Sequence, residues 1–197
     1  MLNTSSNCTN TTITVPEGVN NITIFVNDSA NNLNSTSVYF FVDTIFPTLQ
    51  FTNLSVINNY MGNNATRYFE INYTEINLAN ATLYINSAIY EMTCNATDCN
   101  YSKIFPDGYY VYNISINDTA GNRNTTASRN FTIDTEVPDS TATAGDYTFG
   151  WISDINVTVD IDCTDNIACN ETFYCIANST CTPATLYTAP IVFSNIS

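Results

Sequence analysis

An internal repeat is the feature that most constrains the fold of this chain. Segment 16–47 reads PEGVNNITIFVNDSANNLNSTSVYFFVDTIFP, and segment 106–138 reads PDGYYVYNISINDTAGNRNTTASRNFTIDTEVP. Both open on Pro-acidic-Gly, carry Asn-Asp-(Ser/Thr)-Ala-X-Asn eleven residues after the proline, and close on Asp-Thr-X-X-Pro, with one single-residue gap. Each copy therefore predicts a turn, an alternating strand, a polar hairpin loop, a second strand and a linker.

Strand-like runs separated by turn signals continue through the rest of the chain, and no segment keeps a helical period over ten or more residues. The predicted strands cover 48–56, 67–73, 80–85, 109–117, 125–134, 155–162 and 172–176. Short strands at such regular spacing are typical of β-sandwiches. The predicted fold class is all-β, with antiparallel β-sandwich domains in tandem.

Two sets of motifs resemble known surface modules. PDG at 106–108, NDTAGN at 117–122 and DTEVP at 134–138 resemble the tandem Ig-like repeats of prokaryotic surface proteins. In that family the hairpin forms the last two strands, and the DTxxP motif leads into the next domain. The segment from Gly150-Trp151 through Cys163-Thr164-Asp165-Asn166 to Cys181 resembles the small chitobiase-like sandwich module of archaeal surface proteins, with Ile167-Ala168 where that module carries glycine.

The resemblance implies a domain of about 90 residues. Residues 48–138 fill one complete Ig-like sandwich, 1–47 supply the back half of another, and 139–197 supply the front half of a Cys-rich one. An open half-sandwich exposes its apolar face and its strand edges. Either the chain is part of a longer tandem protein, or the front half of one subunit is completed by the back half of the next, which would build a head-to-tail filament.

Acceptor motifs for N-linked sugar are in large excess. Twenty of the 30 Asn residues stand in Asn-X-Ser/Thr, where this composition would give about seven by chance. A polar strand face of Asn and Thr could create the pattern by geometry, but Asn is a poor strand residue. Glycosylation is therefore predicted at Asn3, Asn7, Asn10, Asn21, Asn27, Asn34, Asn53, Asn64, Asn72, Asn80, Asn95, Asn100, Asn113, Asn117, Asn124, Asn130, Asn156, Asn170, Asn178 and Asn195.

Six of the seven cysteines form close pairs along the chain. Zinc is the alternative to disulfides for the last four, but each of the three gaps between them holds five residues, and the chain has no His. The predicted disulfides are Cys94–Cys99, Cys163–Cys169 and Cys175–Cys181, and Cys8 is predicted to be unpaired or intermolecular. Disulfides and sugar together predict an extracellular or cell-surface location.

Charge excludes several classes of partner. With a net charge of −14 and only 4 basic residues, the chain lacks the Lys and Arg clusters that bind nucleic acid or anionic membranes. It has no apolar run near the roughly 20 residues of a membrane span. Residues 1–8 lack the basic and apolar regions of a secretory signal, which predicts that the chain is part of a longer precursor.

Catalytic residues find little support in this sequence. The chain has no His and no Ser or Cys in a nucleophile elbow, so it is predicted not to be an enzyme. Asp160 and Asp162 share a polar strand face and are predicted to be solvated. Trp151 and the tyrosines could form a sugar-binding platform, although buried sandwich aromatics are the ordinary explanation.

Calcium is the only ion that the sequence favours, and no other cofactor is predicted. Hard cations prefer several oxygen ligands, and acidic residues recur at the predicted hairpins and linkers. Turn capping by Asp and Asn is the alternative explanation for the same residues. The candidate ligands are Asp28, Asp43, Asp118, Asp134 and Asp139.

The predicted function is that of a structural module. The chain is expected to serve as a subunit or module of a heavily N-glycosylated extracellular filament or cell-surface protein, with copies of itself as partners. The alternative is an adhesin or a carbohydrate-binding module of a larger secreted protein. Exposed aromatic residues at loop tips would favour the binding module, whereas glycans on all faces would disfavour it.

Overall fold

The computed structural model describes residues 12–145 and 156–194, and all of their regular structure is β. None of these residues belongs to a helix that could cross a membrane. The strands are β1 (Gly18–Asn27), β2 (Leu33–Val42), β3 (Thr48–Phe51), β4 (Tyr60–Gly62), β5 (Thr66–Thr74), β6 (Leu78–Ile85), β7 (Ala88–Glu91), β8 (Thr93–Cys94), β9 (Asp98–Ile104), β10 (Gly108–Asp118), β11 (Arg123–Thr125), β12 (Arg129–Ile133), β13 (Asp139–Ala144), β14 (Asn156–Thr164), β15 (Phe173–Tyr174), β16 (Thr185–Leu186) and β17 (Ile191–Ser194). The predicted all-β class is confirmed.

The N-terminal ribbon consists of β1 and β2, which form a two-stranded antiparallel sheet of their own. Its register runs from Gly18 opposite Val42 to Asn27 opposite Leu33. The hairpin loop is closed by Asp28, whose Oδ1 accepts hydrogen bonds from two backbone amides of the loop. This arrangement is the Asx-turn chemistry that the Asn-Asp-Ser-Ala sequence favours.

The central sandwich extends from β3 to β12 and contains two sheets. One sheet has the order β3-β5-β9-β8, and the other has the order β4-β12-β10-β6-β7 with β11 beside β10. All pairs are antiparallel except β12 with β4. Because alternate side chains of a strand share a face, each sheet contributes one apolar layer to the core between them.

Aromatic and branched side chains fill that core. Phe69 from β5 contacts Tyr112 from β10 edge to face, with ring centroids 4.9 Å apart, and Phe131 from β12 packs against both rings. The Tyr112 hydroxyl donates to the Val56 carbonyl at 2.5 Å, and burial raises the pKa of Tyr112 to about 12. Full burial of each such side chain stabilises the fold by about 1.5–3 kcal/mol, so this layer is the main source of stability.

The C-terminal sheets lie beyond the second linker. One sheet has the order β13-β14-β17, and β15 pairs with β16 in a separate two-stranded sheet. Val157 is the only buried hydrophobic residue among the described residues of these strands, while Phe173, Leu186 and Phe193 are exposed. The described residues of these sheets therefore do not enclose an apolar core like that of the central sandwich.

Three predicted strands differ from the observed ones. The strand predicted at 48–56 ends at Phe51, because the Thr52 hydroxyl caps a turn by accepting a hydrogen bond from the Leu54 amide. The strand predicted at 125–134 is split into β11 and β12, because Thr126 bonds back to the main chain of Ile114 with both its amide and its hydroxyl. The strand predicted at 172–176 shortens to the two residues of β15.

Candidate functional site

The hairpin loop after β10 holds the first linker in place. Asp118 is 3% exposed, and its Oδ1 accepts from the Ala120 amide at 2.9 Å and the Asn122 amide at 2.8 Å. The Asn122 side chain donates both to Asp118 Oδ2 at 2.7 Å and to the Asp43 carbonyl at 3.0 Å. Burial opposes ionisation of Asp118, but the hydrogen bonds from Asn122 and Ala120 outweigh burial, and the pKa is lowered.

Three carboxylates converge at this first junction. One oxygen atom of each of Asp43, Glu75 and Asp118 lies within 4.8 Å of the others. Asn77 donates its side-chain amide to Asp43 at 3.4 Å and its backbone amide to Glu75 at 2.7 Å. A cluster of three oxygen donors at the joint between the ribbon and the sandwich has the composition that a hard divalent cation prefers.

The second junction repeats this acidic character. Asp107 accepts from the Thr135 amide at 3.0 Å, from the Thr135 hydroxyl at 2.8 Å and from the Asn166 side chain at 2.9 Å. The hydrogen bond from the Thr135 amide is the main cause of the lowered pKa of Asp107. Asp134 behaves in the opposite way, because burial first, and then the nearby carboxylates of Asp165 and Asp107, raise its pKa. Its Oδ1 is buried and has no hydrogen-bond partner.

The two linkers are fixed by the same contacts. Glu17 accepts hydrogen bonds from the amide and the hydroxyl of Thr44, as Asp107 does from Thr135. In both copies, the acidic residue of the Pro-acidic-Gly turn thus accepts hydrogen bonds from the threonine of the following Asp-Thr-X-X-Pro motif. At the first junction the contact borders a cavity of about 350 Å³, whose apolar lining includes Phe41 and Ile45.

The candidate calcium ligands fall into separate places. Asp43 and Asp118 come together, joined by Glu75, which the sequence prediction did not include. Asp28 closes the opposite end of the ribbon, where it makes the same loop contacts as Asp118. Asp139 begins β13 and is exposed, and Asp134 lies at the second junction. The single five-residue set is thus divided between the hairpin and the two junctions, and calcium binding stays a prediction.

The displacement of 90 residues between the two hairpin copies could have identified Glu75. Glu75 follows Thr74 at the end of β5. Asp165 follows Thr164 at the end of β14, 90 residues further along the chain. In each place the residue after the strand is acidic and the next loop residues contain an Asn that bonds a junction carboxylate. The repeat therefore extends into the front halves of the sandwiches.

The structure contains the three disulfides Cys94–Cys99, Cys163–Cys169 and Cys175–Cys181. Cys99 is fully buried in the central core, whereas the other two bonds lie in the C-terminal sheets and their loops. The disulfide bonds use the sulfur atoms that zinc ligation would require. Three disulfides in a small β-protein are typical of extracellular proteins, since such bonds persist in oxidising compartments.

The acceptor asparagines divide by exposure. Nine are exposed, namely Asn21, Asn27, Asn34, Asn53, Asn64, Asn72, Asn95, Asn170 and Asn178. Six are half-buried, namely Asn80, Asn100, Asn113, Asn117, Asn124 and Asn130. Among the second group, Asn80 and Asn117 stand directly opposite each other on β6 and β10, and their amides are hydrogen-bonded at 3.1 Å. Asn117 donates and Asn80 accepts in this contact, so sugar on the Asn117 amide would leave one N–H to maintain it.

Several predicted residues lie outside the described part of the chain: Asn3, Asn7, Cys8, Asn10, Trp151 and Asn195. The side chain of Asn156 also lies outside it. Asp160 and Asp162, predicted to be solvated, are exposed on β14, and Asp160 accepts a hydrogen bond from the Tyr187 hydroxyl.

The ribbon presents an open apolar face. In the repeat Ile24 occupies the position of Ile114, yet Ile24 is 51% exposed and Ile114 is 0% exposed. The neighbouring inward residues Ile22 and Val26 are exposed as well, although their counterparts Tyr112 and Ile116 are buried in the central core. The same strand sequence is therefore covered by a second sheet in one copy and uncovered in the other.

Comparison with known proteins gives matches among solved structures. No protein-family model matches this chain, and no curated protein matches it. Among solved structures, dimeric latent PorU from Porphyromonas gingivalis is similar, with 13% identity and a TM-score of 0.37. The matched region covers 73% of this chain and 16% of PorU. At this identity and TM-score, the similarity carries no argument about function.

Proposed function

We propose that the chain is a structural module of an N-glycosylated extracellular filament or cell-surface protein, and that its open half-sandwiches are completed by head-to-tail contact between copies. The observation that carries this proposal is the pair of equivalent strands β1 and β10. Their inward residues match in sequence, but only those of β10 are buried. Leaving such a face in water forfeits about 25 cal/mol for each Å² of apolar surface.

The linkers support an extended series of sandwiches. Each linker is held by the acidic residue of the preceding unit, and a side-chain amide of the next unit bonds the first linker at Asp43 and, at the second junction, the acidic residue Asp107. Such contacts fix the direction in which one unit follows another. A fixed direction is a requirement for a filament, since head-to-tail contacts that do not close on themselves continue without limit.

We further propose that the chain does not catalyse a reaction. The chain has no His, and Asp118 and Asp107 at the two junctions are hydrogen-bonded to Asn122 and Thr135. The exposed aromatic residues Phe25, Tyr39 and Phe41 lie on the outer face of the ribbon strands. They therefore do not form the cluster at loop tips that would favour an adhesin or a carbohydrate-binding module.

The test is the assembly state of the full chain, produced in an oxidising compartment so that its disulfides form. Sedimentation velocity over a concentration series, with negative-stain electron microscopy, should show species that lengthen with concentration. Intact-mass measurement of native material should show added sugar. A monomer at all concentrations up to the millimolar range would refute head-to-tail completion, and unmodified native material would refute the glycan coat.

A further inference from the structure

The ribbon duplicates, pair by pair, a hairpin of the central sandwich. Gly18 lies opposite Val42 as Gly108 lies opposite Ile133, and both pairs begin their hairpins. Asn27 lies opposite Leu33 as Asn117 lies opposite Arg123, just before the loop. β1 is therefore the equivalent of β10, and β2 is the equivalent of β11 and β12 together.

The C-terminal sheets duplicate the other half of the sandwich. In the central sandwich β5 pairs with β9, with Thr66 opposite Ile104, and in the C-terminal sheets β14 pairs with β17, with Asn156 opposite Ser194. Both partners are displaced by 90 residues along the chain. β13 pairs with the other edge of β14 as β3 pairs with that of β5.

The short strand β15 is the equivalent of β6. Thr172-Phe173-Tyr174 follows Thr82-Leu83-Tyr84 at the same displacement of 90 residues, and β15 pairs with β16 as β6 pairs with β7. In the central sandwich, β10 occupies the other edge of β6. Among the described residues, β15 has no strand on that edge, and Phe173 is 47% exposed where Leu83 is 0% exposed.

The ribbon and the C-terminal sheets contact opposite ends of β10 in their own chain. The ribbon meets the sandwich at the end of β10, through Asn122 and Asp43, and the C-terminal sheets meet it at the start of β10, through Asp107 and Asn166. β10 has 11 residues, which at about 3.3 Å per residue places the two contacts roughly 35 Å apart. We take a second copy of the chain as the occupant, because its ribbon carries β1, the equivalent of β10.

We propose that β1 of one copy adds to the free edge of β15 of the next copy, antiparallel, in the register of β10 on β6. Ile114 lies opposite Leu83 and Ser115 lies opposite Thr82 in the central sandwich. The inferred seam therefore sets Ile24 opposite Phe173 and Phe25 opposite Thr172. This inference rests on the proposed head-to-tail function and specifies which strands meet, in which direction and in which register.

Cross-linking between two differently labelled copies tests the register. One protein carries Phe25→Cys and the other carries Thr172→Cys, both with Cys8→Ser, and the two are mixed, assembled and oxidised. Residues opposite each other in a pair project to the same face, so a disulfide between copies is expected. The matched control replaces Thr172→Cys by Phe173→Cys, whose side chain projects to the other face, and its yield should be roughly tenfold lower.

The outcomes separate this inference from the proposed function. A cross-link for 25 with 172, identified by mass spectrometry of the non-reduced peptides, supports the register. Assembly without that cross-link, or with the 25–173 cross-link favoured, overturns the register and leaves head-to-tail assembly standing. A chain that stays monomeric overturns both.

Hydrogen exchange of the unmodified chain covers the case in which the cysteine variants do not assemble. On assembly, backbone amides of β1 and β15 should gain protection, while that of Leu83, already paired in the sandwich, should not change. Assembly without new protection in β15 would overturn the inference.

Discussion

The repeat supplies a matched pair of substitutions, Ile24→Ala and Ile114→Ala, at equivalent positions on β1 and β10. Ile114 is fully buried in the central core, so its truncation leaves a cavity and should lower the free energy of unfolding by about 2–5 kcal/mol. Ile24 is 51% exposed in the single chain, so its truncation removes about half as much burial and leaves no enclosed cavity. The expected loss in the dilute chain is about 1 kcal/mol or less.

Assembly should reverse this difference. If β1 enters an environment like that of β10, Ile24→Ala forfeits there what Ile114→Ala forfeits in the sandwich. The assembled state loses about 2 kcal/mol, at the low end of the range for Ile→Ala, and up to about 1 kcal/mol of this is already lost in the dilute chain. At 1.4 kcal/mol for each factor of ten, the concentration needed for assembly should therefore rise about 5- to 30-fold. Ile114→Ala lies away from the seam and should leave that concentration nearly unchanged once the sandwich is folded.

The assays are urea unfolding by circular dichroism, at concentrations below assembly, and sedimentation velocity across the assembly range. The reasoning is refuted if Ile24→Ala destabilises the dilute chain as much as Ile114→Ala does, because Ile24 would then already be buried within one chain. It is also refuted if Ile24→Ala leaves the assembly concentration unchanged, because the ribbon face would then lie outside the contact between copies.

Three further predictions concern the junctions and the sugars. The raised pKa of Asp134 means that its contribution to stability is present below the unfolded value near 3.9 and is lost as pH rises through the folded pKa. Asp134→Asn should therefore raise the Tm at pH 7 in EDTA buffer but not at pH 3. An unchanged Tm at pH 7 would contradict this. Peptide mapping of native material should find more sugar on the exposed acceptors than on Asn80 and Asn117, because these two are half-buried and lie opposite each other; full occupancy of that pair would contradict this expectation. Calcium should raise the Tm of the chain and of Asp28→Asn but not of Glu75→Gln, and an equal shift in all three would place the ion elsewhere.

Local chemistry explains why the sequence predicted the hairpins so closely. The Asn-Asp-(Ser/Thr)-Ala-X-Asn loops need only contacts within five residues, and Asp28 and Asp118 make the same bonds to their own loops. The alternation of the flanking strands then sets which side chains face inward. Such features follow from the sequence because each is decided by a short segment.

Long-range features escaped prediction. Glu75 enters the carboxylate cluster only because the hairpin and the linker pack beside its loop, and its sequence separation from both hides that contact. β4 has three residues and pairs in parallel with β12, so no alternating pattern identifies it. The break between β11 and β12 depends on Thr126 bonding to Ile114, twelve residues away. In each case tertiary contacts override local propensity.

Sugar and strand addition can coexist on β1 because they use opposite faces of the same strand. Asn21 and Asn27 share a face with Thr23, where the Thr23 hydroxyl is hydrogen-bonded to that of Ser37, and Ile22, Ile24 and Val26 occupy the other face. A glycan on the outer face therefore leaves free both the apolar face and the hydrogen-bonding edge that would meet β15. The same glycan would block a flat ligand laid against the outer aromatic residues. The acceptor pattern on this strand thus favours assembly between copies over adhesion as its use.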